Sequence, residues 1–106
     1  MQVLDDSAVE SALRELPGWR REGDNIVKTF EFDDFRSAML FVNRVADTAE
    51  SANHHPDIDI RWNKVTLALS THSAGGLTEN DTKLAHRIER LGGEHHHPPG
   101  PASANH

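Results

Sequence analysis

The segment from Asp33 to Ala49 constrains this chain more than any other. Phe35, Ala38/Met39, Val42, Val45/Ala46 and Ala49 recur at three- and four-residue steps, the spacing that lines one face of an α-helix with apolar side chains. Asp33-Asp34 supplies an N-cap and negative charge at the positive end of the helix dipole. Leu40 and Phe41 fall beside the stripe and widen its apolar surface, which fits either a broad core contact or a contact between subunits. The helix has to stop near Asn53, because Pro56 biases His55 away from helical angles. A long helix with one apolar face needs a sheet or another helix to lie on.

The flanking stretches supply that sheet. Before the helix, Trp19-Arg-Arg-Glu22, the turn Gly23-Asp-Asn25 and the alternating run Ile26–Phe32 read as a hairpin, with Ile26, Phe30 and Phe32 on its buried face. After it, Ile58, Ile60 and Trp62 alternate with polar residues, Asn63-Lys64 is the expected turn, and Val65, Leu67 and Leu69 alternate on the return. A capping box at Ser7-x-x-Glu10 opens a short helix carrying Val9, Leu13 and Leu16, which Pro17-Gly18 stops. Thr78-Glu-Asn-Asp81 opens a last helix carrying Leu84, Ile88 and Leu91, with Gly92-Gly93 as its expected stop. The reading is one α+β domain over residues 1–91. It has a four-stranded antiparallel sheet with three helices packed on one face, in the order α-β-β-α-β-β-α. Residues 92–106, rich in His, Pro and Gly with no apolar face, are expected to be a disordered tail, and its His95-His-His97 tract a solvated stretch or a weak adventitious metal binder rather than a site.

Charge and composition narrow the function. With 11 basic against 17 acidic residues, net −6, the chain repels phosphate backbones, and no Lys/Arg run reverses this locally, which disfavours a nucleic-acid partner. The chain has no cysteine, so disulfides, thiolate metal sites and cysteine nucleophiles are excluded. The first residues lack the basic and apolar regions of a signal peptide, and no apolar run approaches the roughly eighteen residues that cross a bilayer. The expectation is a cytoplasmic protein with no membrane span.

The chemistry-bearing residues gather where the long helix ends. Imidazole exchanges protons near neutral pH, and His54-His55 meets Pro56 at the helix terminus while His72 closes the second hairpin. With Asn63-Lys64 as the turn, Ile60 faces Leu67 and Ile58 faces Leu69, and the same register carried outward sets His55 opposite His72. Each residue also has a plainer reading. His54 and His55 suit a polar helix end, His72 a hydrogen-bonded strand terminus and Asp81 a helix cap; Glu50 suits a solvated helix position and Trp62 the core. Three imidazoles also suit zinc, but adjacent histidines do not make the usual i, i+4 ligand pair, and no metal site is expected.

The series Glu50-x3-His54-His55-Pro56-x5-Trp62-x9-His72-x8-Asp81 resembles the signature of the pterin-4a-carbinolamine dehydratases. Asn63-Lys-Val65, Leu69-Ser-Thr-His72 and Gly76-Leu-Thr78 are similar as well. The resemblance implies dehydration of 4a-hydroxytetrahydropterin to quinonoid dihydropterin, which recycles the cofactor used by aromatic amino acid hydroxylases. It needs no metal or redox cofactor, since imidazoles deliver one proton and remove another. It also implies that His54, His55 and His72 are the catalytic and substrate-binding histidines. His54 and His72 would then be the acid/base groups and His55 the one that orients substrate. Pro56, Trp62, Thr71, Ser73 and Ala74 would line the pterin, with Glu50 and Asp81 supporting the imidazoles. Asn53 departs from the acid that many relatives carry there. A homodimer or homotetramer is implied too. The competing class is a non-catalytic transcriptional coactivator or assembly factor on the same scaffold.

Overall fold

Phe30 pairs with Val65 and Ile26 with Leu69 across two central antiparallel strands, and all four side chains are buried on one face. The computed structural model describes residues 2–95. Its elements are α1 (Asp6–Leu13), β1 (Arg20–Glu22), β2 (Asn25–Glu31), α2 (Phe35–Ala52), β3 (Asp57–Arg61), β4 (Lys64–Leu69) and α3 (Glu79–His95), with one 3₁₀ turn at His72–Ala74 before α3. The strands form a single antiparallel sheet in the order β1-β2-β4-β3. This is the α+β fold expected from the sequence.

The core lies between the helices and the sheet face carrying Ile26, Phe30, Val65, Leu67 and Leu69; Val9, Leu16, Phe41, Val45, Leu84 and Ile88 meet it from the helical side. Each large apolar side chain buried here contributes about 1.5–3 kcal/mol relative to exposure. Lys28 sits on the same face between Ile26 and Phe30. Its ammonium is drawn to the margin, donating to Glu89 Oε2 (2.7 Å) and Pro17 O (2.8 Å), while Trp19 Nε1 donates to the same Glu89 oxygen (2.9 Å). That shared carboxylate pins α3 to the first hairpin. Gly18, at φ +85, passes so close to Lys28 that a Cβ there would lie 2.9 Å from its Cε.

Several boundaries differ from the sequence reading. The α1 N-cap is Asp5, whose side chain accepts from Ala8 N (2.8 Å); Ser7 lies inside the helix. Leu4 N donates to Leu77 O (2.8 Å), which fixes the incoming chain so that Asp5 is the residue at the helix mouth. The first hairpin turns on Gly23-Asp24, with Asn25 already paired to Glu22, because Gly23 takes the left-handed angle (φ +62). In α2 the buried residues are Ala38, Phe41, Val45 and Ala49. Phe41 is therefore core rather than flank, whereas Phe35 and Leu40 are half exposed, at 51% and 55%. α3 runs through Gly92 and Gly93 to His95, so these glycines do not stop it. Most of the expected tail, residues 96–106, lies outside the described residues. Among the described residues no helix is long and apolar enough to cross a membrane.

The second hairpin turns one residue earlier than expected. Ile60 pairs with Val65, Ile58 with Leu67 and Asp57 with Ala68, so the turn is Trp62-Asn63. Asn63 is buried and its Nδ2 donates to Phe32 O (2.7 Å), while Phe32 N donates to Asn63 O (2.9 Å). A side chain held this way cannot also serve as an exposed loop tip. Trp62 takes the tip instead, at φ +53 and 57% exposed. Regular pairing stops at Asp57↔Ala68, so His55 and His72 are not opposed across the ladder.

Candidate active site

The end of α2 is built to present His54. Asn53 adopts the left-handed conformation (φ 51), its N–H donates to Glu50 O (3.1 Å), and His54 N donates to Ala49 O (3.1 Å). These two bonds close the helix as a Schellman motif. They fix the backbone of His54 immediately beyond the last turn.

The start of α3 meets it. Thr78 and Asp81 form a reciprocal cap: Thr78 N donates to Asp81 Oδ2 (2.9 Å), and Thr78 Oγ1 accepts from Asn80 N (3.2 Å). Asp81 has no exposure to solvent. Its Oδ2 also accepts from Thr71 Oγ1 (2.8 Å), and its Oδ1 accepts from His54 Nε2 (2.5 Å). Thr71 has a single hydroxyl proton and directs it at Asp81, so the remaining contact (2.8 Å) is Thr78 donating to Thr71. Two carboxylate oxygens thus take three donors, and the group is satisfied without water. Asp81 fixes the ring orientation and tautomer of His54, leaving Nδ1 as the other proton-exchanging atom.

His72 follows Thr71 in the chain and opens the 3₁₀ turn. It is exposed, as is Ser73; Ala74 is half-buried. Thr71 bridges to Gly76, and Gly75 closes the loop at φ +81. The hydrogen-bonded group His54–Asp81–Thr71–Thr78 therefore gathers the end of α2, the loop carrying His72 and the start of α3 in one place. His55 makes a separate pair, its Nε2 with Glu50 Oε2 at 2.5 Å, with both side chains exposed. Glu50 thus supports His55 and not His54. Pro56 is half-buried beside it.

Trp62 does not share this end of the molecule within one chain. It caps β3 at the far end from Pro56, about 20 Å away at the usual rise per strand residue. The sequence reading also missed residues. A cavity of about 240 Å³ beside His54 is lined by Ala52, Asn80, Lys83, Leu84 and Arg87 as well. The spacing of Asn80, Lys83 and Arg87 along one helix was the available signal, and it shows only once α3 is known to meet His54.

Comparison with known proteins places the chain in a family. The family model for pterin 4 alpha carbinolamine dehydratase matches residues 2–91. A protein of Thermomicrobium roseum provisionally named pterin-4-alpha-carbinolamine dehydratase is 56% identical over 91 residues, covering 86% of this chain and 98% of that one. A Nocardia farcinica protein with the same provisional name is 52% identical over 90 residues, covering 85% and 95%. Among solved structures, a transcriptional coactivator/pterin dehydratase from Brucella melitensis superposes with a TM-score of 0.83 at 35% identity, over 86% of this chain and 99% of that one. A pterin dehydratase-like protein identified as a RuBisCO assembly factor in the alpha-carboxysome superposes with a TM-score of 0.62 at 25% identity, over 72% and 90%. A family model that matches nearly all the described residues, with relatives more than half identical over the same span, shows that the chain belongs to the pterin 4 alpha carbinolamine dehydratase family.

Proposed function

We propose that this protein dehydrates a 4a-hydroxytetrahydropterin to the quinonoid dihydropterin, with imidazoles as acid and base. The bond from C4a to its hydroxyl breaks as that oxygen takes a proton and leaves as water. N5 gives up its proton, and its electrons form the new double bond to C4a. The observation that carries the reading is the hydrogen bond from His54 Nε2 to the fully buried Asp81, a carboxylate-oriented imidazole of the kind general acid–base catalysis uses. In this reading His54 and His72 exchange the two protons, and His55, held by Glu50, orients the ring. Pro56 and the backbone of residues 71–74 flank the flat pterin. The pterin is the substrate, so the reaction needs no cofactor. The proposed setting is the cytoplasm, alongside an aromatic amino acid hydroxylase, with the chain as a homo-oligomer. The outer edge of β3, unpaired among the described residues, carries the part-exposed Ile58 and Ile60 (37% each) and supports self-association.

The test is the decay of 4a-hydroxytetrahydropterin followed by absorbance. The protein should accelerate it, and His54→Ala and His72→Ala should each lower the rate by about 10²-fold or more. No acceleration by the intact protein would sink the enzyme reading, and full rates in both variants would sink the site. The assembly-factor likeness favours a second reading, a protein-binding role on this scaffold. A stable protein complex captured from the native host, together with absent dehydratase activity, would select it.

A further inference from the structure

The cavity beside His54 has a character that dehydration of a neutral pterin does not require. Its floor is apolar, formed by Ala52 and the buried Leu84. Above it Asn80, Lys83 and Arg87 stand at i, i+3 and i+7, on successive turns of one face of α3. Among the described residues no carboxylate lines the cavity, in a chain whose net charge is −6. Asp81 turns the other way, into its own hydrogen-bonded group. Glu79 approaches Lys83 only at 3.9 Å, with both side chains more than two-thirds exposed, so solvent screens that pair. Arg87 Nη2 reaches across to donate to Ser51 Oγ on α2 (3.3 Å), which holds the guanidinium at the cavity rim. Asn80 lies in the first turn of α3, where the helix dipole adds positive potential.

We propose that this cavity is a subsite for an anionic group, a carboxylate or a phosphate monoester, carried on the side chain of the pterin substrate. Lys83 and Arg87 are its charged contacts and Asn80 its neutral donor. The inference rests on the dehydratase reading. In a pterin the side-chain carbon C6 is bonded directly to N5, one of the two atoms that exchange protons. An imidazole serving the C4a–N5 edge therefore lies beside the root of that side chain, and His54 lines both places. About 240 Å³ corresponds to roughly eight waters at their liquid volume, enough for a carboxylate or phosphate on a short linker.

Fluorescence titration of the full chain separates the outcomes with three probes: biopterin, whose dihydroxypropyl side chain is neutral, 6-carboxypterin, and neopterin monophosphate. At least one anionic probe should bind ten-fold or more tightly than biopterin at low salt, with the preference shrinking as ionic strength rises. Lys83→Gln/Arg87→Gln should reduce that preference to within about two-fold, with circular dichroism reporting the fold of the variant. Preference for only one anionic probe identifies which group the subsite takes. Equal affinity for all three, or a preference that survives the double substitution, overturns the subsite and leaves the dehydratase reading standing. Binding of none overturns both.

Discussion

Asp81 offers both carboxylate oxygens to the protein interior, one to His54 and the other to Thr71 and the Thr78 amide. Asp81→Asn keeps the shape but turns one acceptor into a donor, so either the imidazole or the helix cap loses its partner. We expect the dehydration rate to fall about 10²-fold or more and stability to fall by about 1–3 kcal/mol, measured by single-turnover kinetics and urea unfolding. Lost stability with an intact rate would show that Asp81 only caps α3. Asn53 is the second position where one residue sets the site, since its left-handed angle (φ 51) turns the chain toward His54. Asn53→Ala should cost about 1 kcal/mol and Asn53→Gly almost nothing. Equal costs in a denaturant titration would mean that the side chain, not the angle, matters. The spacing of His54, His55, His72 and Asp81 could be read from the sequence. Their pairing could not, because Asp81 is 27 positions from His54 and only tertiary packing brings α3 to the end of α2.

At the scale of elements, periodicity located α2 but misjudged its rotation. Phe41 has no exposure and packs between Phe30 and Phe32, at centroid distances of 4.7 and 5.0 Å, while its neighbour Leu40 is 55% exposed. Phe41→Ala should therefore destabilise by about 3–5 kcal/mol, and Leu40→Ala by about 0.5 or less. Urea unfolding at low protein concentration reads both, and a comparable loss at Leu40 would mean that this face is covered in solution. The shift in the β3–β4 register has a different cause. Moving a strand by two residues leaves every side chain on the same face, so apolar residues match apolar residues in either register. The hydrophobic pattern therefore could not choose, and the burial of Asn63 against Phe32 O did.

For the whole molecule, the open feature is the β3 edge. Paired with β4 on one side only among the described residues, β3 carries the part-exposed Ile58 and Ile60 and the exposed Trp62 at its tip, and its outer edge is a template for pairing with another chain. Sedimentation should show a homo-oligomer at micromolar concentration, and Ile60→Lys should shift it toward monomer by placing a charge on that edge. A wild-type monomer at these concentrations would remove the proposed self-association. Sequence alone was enough for the element order, the faces of the strands and the N-terminal caps of α2 and α3. Each of these depends on residues a few positions apart, through helix and strand periods and side-chain hydrogen bonds to nearby backbone. Long-range packing chose which carboxylate holds which histidine, the hairpin register, the aromatic anchor of α2 and the cation-lined cavity. Those depend on which distant surfaces meet, and a local pattern satisfied equally well by two arrangements carries no information about that choice.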